Sequence, residues 1–271
     1  MDFDLSFLTP PLFLSVVLVS FFVFCVLFTF FSLYFLLKVI LSEISVTVTA
    51  IKPAMDDKSQ GEFVVSVSCV CASNMNRSMA AHRALKRAFP ADVPRSMSVV
   101  LSSYGTGKKV SLPGHSERES NIYDFGTPYS KIREDLDKQD GPYYLRKGLL
   151  QMLERNAEVK TCPERWIERD REKRIDLVIA YDERVYGVLV EDVANTGART
   201  DEWGKDVGIV AGLITRDNHE DAADCGKKTV ALLEIIENAG PYWKDKLEEI
   251  AVRFKTVTDR TLIYTVFPFQ L

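Results

Sequence analysis

The stretch that decides the fold is "FVVSVSCVCASNMNRSMAAHRALKRAF", residues 63–89. Residues 63–70 are β-branched and apolar, which reads as a buried strand. Beyond a short polar loop, Ala80, Ala84, Leu85, Ala88 and Phe89 recur at helical spacing, Arg83, Lys86 and Arg87 take the other face, and Pro90 ends the run. The reading is strand, loop, helix. A loop of this kind points backbone N–H groups at one spot, and the helix dipole favours negative charge there. Cys71 stands where the strand ends, and Arg77 follows six residues later.

These residue types suit covalent phosphate transfer. A thiol at a helix amino terminus is stabilised as thiolate, the nucleophilic form. Arg77 offers a planar fork matched to two phosphate oxygens. Ser78 is placed to hydrogen-bond the thiolate and ease its departure from a phosphocysteine. Asn74 suits a left-handed backbone position inside a tight anion loop, and Ala72, Ser73, Met75 and Asn76 complete the cradle. The bare cysteine–arginine spacing is weak evidence, and Ser78 with the flanking strand and helix gives it weight. A buried structural cysteine and a redox thiol are the competing readings.

A leaving alkoxide needs a proton. Asp217, in the polar turn "TRDNHED" after an apolar run, is the candidate acid, and its competing reading is a helix cap. His219 reads as an exposed turn residue and Cys69 as core packing. No cluster of histidine, cysteine and acids suggests a metal, and no cofactor is expected.

Working outward, "MSVVLSSYGTG" gives a second strand, "IDLVIAYD" a third and "VGIVAGLI" a fourth. "VSLPGHSERESNIYDFGTPY" reads as a long loop, and "YYLRKGLLQMLERNAEV" and "ERVYGVLVEDV" read as helices. Two more helices, "DAADCGKKTVALLEIIENAG" and "PYWKDKLEEIAVRFKTV", precede a short "TLIYTVF". Alternating strands and helices indicate an α/β three-layer sandwich, with a central, mainly parallel sheet covered on both faces. Such sheets bind ligands beyond the carboxyl ends of their strands, where both Cys71 and the Asp217 turn fall.

The 271 residues carry a net charge of −4, which argues against coating nucleic acid and favours protein or peptide partners. Five scattered cysteines have neither disulfide-scaffold nor zinc-site spacing, so a reducing compartment is expected. The amino terminus is different. Leu5 to Leu37 holds no charged residue, and residues 12–37 exceed the roughly 20 apolar residues that cross a bilayer. Two readings stand for residues 1–54: a transmembrane anchor and linker, or sequence upstream of a start at Met55. The catalytic domain is placed at 62–271.

Beyond this physical reading, "CASNMNRSMAAH", "SYGTGKKVSLPG", "NIYDFGTPY", "LLQMLERN", "PERW", "DERVYGVLVEDV", "RDNHEDA" and "RTLIYTV" occur in one order along the globular part. Together they resemble the eukaryotic phosphatases of the RNA polymerase II carboxyl-terminal repeat domain, a branch of the low-molecular-weight tyrosine phosphatase fold. The resemblance implies Cys71 as nucleophile, Arg77 as phosphate-binding arginine, Ser78 as the serine that follows it and Asp217 as general acid. It implies a peptide groove at Leu112, Pro113 and Met152. The implied substrate is phosphoserine before a cis proline, at the fifth position of the polymerase heptad. A symplekin-type scaffold, transcription termination, messenger RNA 3′-end processing and a nuclear location are implied with it. Slow X-Pro isomerisation adds a prolyl isomerase as an expected partner.

The chain departs from that family at two positions. Ser111 stands where relatives often carry a basic residue, and Ile214 where they often carry a second acid three positions before the general acid. A tyrosine phosphatase of the same fold and a phosphopeptide-binding scaffold without turnover remain as alternatives, although "DNH" replaces the Asp-Pro usual in the tyrosine branch.

Overall fold

In the computed structural model, residues 62–116, 119–196 and 207–267 are described. The apolar segment 12–37, read above as a membrane span, and the whole of 1–54 lie outside the described residues. Among the described residues no helix is long and apolar enough to cross a membrane.

A five-stranded sheet forms the centre, in the order β2-β1-β5-β6-β7. β1 (Phe63–Cys71) pairs in parallel with β2 (Met97–Gly105) and β5 (Ile175–Ala180). β5 pairs in parallel with β6 (Val207–Gly212), and β7 (Ile263–Val266) closes one edge antiparallel to β6. The alternation of side chains along each strand divides the core. Val65, Val67, Cys69, Leu177, Ile179, Ile209 and Ala211 belong to one buried cluster with Leu85 of α1 (Arg77–Ala88), Leu232 and Ile236 of α5 (His219–Ala239) and Phe254 of α6 (Leu247–Thr258). Val70, Val178, Ala180 and Val210 pack on the opposite face with Trp166 and with Val185, Leu189 and Val193 of α4 (Glu183–Thr196). Full burial of each such aliphatic side chain contributes about 1.5–3 kcal/mol, so the sheet is held from both sides. Three layers result, as the sequence implied.

A third cluster builds a wall beside the carboxyl end of β1. Met75 and Met79 pack with Leu112, with Tyr129, Ile132 and Leu136 of α2 (Tyr129–Arg146), and with Leu149, Met152 and Leu153 of α3 (Leu149–Ala157).

Four sequence assignments change here. The expected long loop contains a hairpin, β3 (Val110–Pro113) and β4 (Ser120–Tyr123), paired antiparallel, whose strands are too short for a periodic signal. The expected helix over "YYLRKGLLQMLERNAEV" is two, broken at Gly148 with φ 75°, a left-handed conformation that ends a helix. The first of the two begins at Tyr129, well before the predicted start, and continues past Pro142 across a kink at Asp140 (φ −164°, ψ 79°). The expected last helix starts at Leu247, because Trp243–Lys246 forms a 3-10 turn.

Candidate active site

Every carboxyl end of the parallel strands opens toward the loop that follows Cys71. Cys71 is buried at the last position of β1, with its Sγ 3.0 Å from Ser78 Oγ. Asn74 has φ 54°, the left-handed region that asparagine tolerates better than most residues. Its side chain spans the loop, donating from Nδ2 to Ser78 Oγ (3.1 Å) and accepting at Oδ1 from the Glu164 N–H (3.0 Å).

The loop carbonyls are held away from the thiol one after another. Thr106 N–H donates to Cys71 O at 3.0 Å and Gly107 N–H to Ala72 O at 2.9 Å. Tyr129 Oη donates to Asn74 O at 2.8 Å, and Asn156 Nδ2 to Met75 O at 2.7 Å. Arg155 Nη2 reaches both Met75 O (3.1 Å) and Asn76 O (3.3 Å). With these carbonyls engaged by other elements, the loop amides are left for a ligand beside Cys71. Asn76, at the amino end of α1, makes no side-chain cap, which leaves the first-turn amides of that helix for an anion as well. The close approach of β2 is part of the same construction. At Gly105 a Cβ would come within 2.7 Å of Ala72 O, 2.8 Å of Phe125 Cε1 and 2.9 Å of Asn74 N.

Arg77 is 5% exposed and is held from below. Its Nη1 donates to Thr215 O (3.0 Å), Tyr181 O (3.2 Å) and Asp182 Oδ2 (3.2 Å). Nη2 donates to Asp217 Oδ2 at 3.3 Å, and Nε is buried with no hydrogen-bond partner. An unpaired buried donor costs about 1–3 kcal/mol, so this edge of the guanidinium is suited to an oxyanion ligand. Asp182 balances the charge. Burial opposes its ionisation, but the hydrogen bonds from Arg77 and from the Arg184 and Val185 N–H groups outweigh that and hold its carboxyl below the usual range.

Asp217 approaches from the turn after β6. The cap of α5 is Asn218, whose side chain accepts from Asp221 N–H, so Asp217 is not the capping residue. Its side chain is 60% exposed, and Asn76 Nδ2 donates to its Oδ1 at 3.1 Å. Ile214 does not supply a second acid. The carboxylate that shares Arg77 with Asp217 is Asp182, from the β5–α4 junction.

The site opens into a cleft of about 610 Å³, lined by Cys71, Ser73, Asn76, Arg77 and Asp217 on one side and by Leu112, Pro113, Leu149 and Met152 on the other. Ser111 also lines it, and its N–H donates to Ser73 Oγ at 3.3 Å. Burial pushes Cys69 up to about 12 against the pull of the Tyr181 hydroxyl, and burial pushes Cys225 up to about 11. Both are therefore protonated at neutral pH.

The sequence reading named Cys71, the loop 72–78 and Asp217 and, through the resemblance, Leu112, Pro113 and Met152; in the structure Cys71, Ser73, Met75, Asn76, Arg77, Asp217, Leu112, Pro113 and Met152 line one cleft. The reading passed over Asp182, Arg155, Asn156 and Tyr129, which hold the arginine and the loop. Only Asp182 had a local signal, as an acid directly after a strand that also caps the next helix through Oδ1 to the Arg184 N–H.

A thiol at the start of a strand-to-helix loop, a buried arginine with a free edge and a carboxylic acid beside that arginine define the class of cysteine-based phosphatases on an α/β sheet. The chain belongs to the Ssu72-like protein family, which matches residues 65–269. It is 35% identical over 201 residues to the Dictyostelium discoideum RNA polymerase II C-terminal domain phosphatase SSU72, covering 74% of this chain and 88% of that one. The Schizosaccharomyces pombe protein of the same name is 38% identical over 186 residues, covering 69% and 85%. A crystal structure of Drosophila melanogaster Ssu72 with symplekin, bound to a cis peptidomimetic CTD peptide phosphorylated on its fifth-position serine, superposes with a TM-score of 0.64 at 28% identity, covering 76% of this chain and 98% of that one.

Proposed function

We propose that this chain is a protein serine phosphatase acting on phosphoserine-proline in the RNA polymerase II carboxyl-terminal domain, at the fifth heptad position with a cis proline. The observation that carries the reading is that Cys71, with its Sγ 3.0 Å from Ser78 Oγ, lines the same cleft as Arg77, whose buried Nε has no hydrogen-bond partner. The names of the family's members and the cis phosphoserine peptide bound by the Drosophila relative support the substrate.

The geometry supports a two-step displacement. The substrate phosphate takes the loop amides and the free edge of Arg77, displacing the Asp217 carboxylate from Nη2. Cys71 Sγ attacks phosphorus as the seryl P–O bond breaks, and Asp217, which takes a proton from solvent once released from Arg77, gives it to the departing seryl oxygen. Water then attacks the phosphocysteine, Asp217 takes the proton, and the P–S bond breaks to return the thiolate, which Ser78 Oγ stabilises. A cis bond folds the peptide sharply enough for its proline to meet Leu112, Pro113 and Met152 while the phosphate stays in the loop. Because X-Pro bonds isomerise over tens of seconds, a prolyl isomerase would feed the reaction on mostly trans substrate.

The fold is read as the low-molecular-weight tyrosine phosphatase type, and the domain as residues 62–271. A symplekin-type scaffold is the proposed partner, as in the Drosophila complex, and the nucleus, where the polymerase works, is the proposed location.

Phosphate release from a phosphoserine-proline heptad peptide and from a phosphotyrosine peptide tests the reading. Release chiefly from the serine peptide, lost in Cys71→Ser, is expected. Preference for tyrosine would move the protein to the tyrosine branch, and binding without release would make it a scaffold.

A further inference from the structure

We propose that His219 is a positioning residue for Asp217, tying the acid turn to the wall of the peptide cleft; this rests on the phosphatase reading above. His219 Nε2 lies 2.9 Å from the Lys147 carbonyl oxygen. A carbonyl only accepts, so the ring nitrogen facing it carries the hydrogen. The ring also packs on the backbone next door. Gly148 has φ 75°, and a Cβ there would lie 2.9 Å from His219 Nε2 and 3.0 Å from Cδ2. The break between α2 and α3 therefore leaves both a carbonyl free of helical pairing and a bare surface for the imidazole.

The position of this contact gives it a consequence. Asp217 has no rigid packing of its own, since its side chain is 60% exposed. Upstream of the acid the turn is held by Thr215 N–H, which donates to Tyr181 O at 3.1 Å, and by Ile214 O, which accepts from Arg260 Nη2 at 2.9 Å. At residues 217–219 themselves, two further attachments run to other elements besides the Arg77 contact. Asn76 Nδ2 donates to Asp217 Oδ1 and to Asn218 O, both at 3.1 Å, joining the turn to the phosphate loop. His219, two residues beyond the acid, joins it to Lys147, whose neighbours Leu149 and Met152 line the cleft opposite the thiol. The acid is thus stretched between the phosphate cradle and the substrate wall. An exposed turn histidine with no such role would leave the Asp217 side chain to Asn76 and Arg77, and once a phosphate takes Arg77 the acid would be held by Asn76 and, two residues upstream, by the backbone bond of Thr215.

The test compares kcat/KM of the full chain with that of His219→Ala and His219→Gln. The substrates are a phosphoserine-proline peptide, whose alkoxide needs a proton to leave, and p-nitrophenyl phosphate, whose aryloxide needs one much less. Loss of one positioning hydrogen bond predicts a fall of about fivefold on the peptide and less than about twofold on the aryl ester. Glutamine, whose Nε2 can reach the same carbonyl, is expected to restore most of the peptide rate. In the Asp217→Asn background, His219→Ala is expected to have no further effect, because the group it positions is already gone. Equal losses on both substrates, no loss on the peptide, no rescue by glutamine, or an undiminished effect in the Asp217→Asn background would each overturn the inference. A wild-type chain that releases phosphate from neither substrate would instead overturn the phosphatase reading on which it stands.

Discussion

Asn74 is the residue whose replacement tests the construction of the phosphate loop most directly. It is fully buried, has φ 54°, and joins three parts of the site through Ser78 Oγ, the Glu164 N–H and Tyr129 Oη. Asn74→Ala removes two side-chain hydrogen bonds at a net cost of about 1 kcal/mol each. It also places a residue with no local hydrogen bond in the left-handed region, for about 1 kcal/mol more. The sum is about 3 kcal/mol, which lowers Tm by about 6–12 °C in a domain of this size. Asn74→Gly loses the same hydrogen bonds but accepts the backbone angle, so it is expected to cost no more than the alanine change. Both variants should also lose about tenfold in kcat, since Ser78 is no longer held against Cys71. Urea and thermal unfolding followed by circular dichroism give the stabilities, and phosphate release gives the rate. An alanine variant less than about 1 kcal/mol below wild type, or a glycine variant clearly worse than alanine, would refute the account of this loop.

Three further outcomes are expected. Gly105→Ala should displace the loop, because the added Cβ meets the backbone at Ala72 O and Asn74 N, which cannot rotate away; kcat/KM should fall at least about tenfold, for an unfolding cost of about 1–3 kcal/mol. Burial with Arg83 nearby lowers Arg155 to about 10, so it is still charged at neutral pH; Arg155→Lys should not rescue the activity lost in Arg155→Met, because one ammonium cannot reproduce the guanidinium bonds to Met75 O, Asn76 O and Asn156 Oδ1, and steady-state kinetics of the two variants checks this. Burial, with Lys160 and Lys86 adding to it, lowers His82 to about 4 from an unfolded value near 6.5, so its contribution to stability is complete above about pH 6.5 and is lost as pH falls toward 4. That loss is of the order of 3 kcal/mol, and urea unfolding between pH 7 and pH 4 should show it in wild type and less of it in His82→Gln.

How much of this was legible beforehand depended on whether the signal was local. The parallel strands are continuous apolar runs and α1 carries its apolar positions at helical spacing, so each was readable within its own window. The hairpin at Val110–Pro113 and Ser120–Tyr123 was not, because four-residue strands hold too few alternations. The early start of α2 was hidden by Pro142 and by a polar surface along Tyr129–Arg146, whose buried positions are few and widely spaced. The site showed the same division. Cys71, Asn74, Arg77 and Ser78 lie within one stretch and were readable together as a candidate phosphate loop, whereas Arg155, Asn156 and Tyr129 act from far along the chain.

The sequence by itself therefore determined the α/β class and, through blocks kept in one order, the family, and it marked out the candidate phosphate loop. Periodicity, loop residue types and spacing are written in consecutive residues. Only the tertiary structure decided which groups hold the loop carbonyls outward, that Asp182 rather than Ile214 supplies the second carboxylate beside Arg77, and that Asn218 caps α5 while Asp217 turns to the cleft. Those outcomes depend on hydrogen bonds between residues far apart along the chain, and their partners are chosen by how the layers pack.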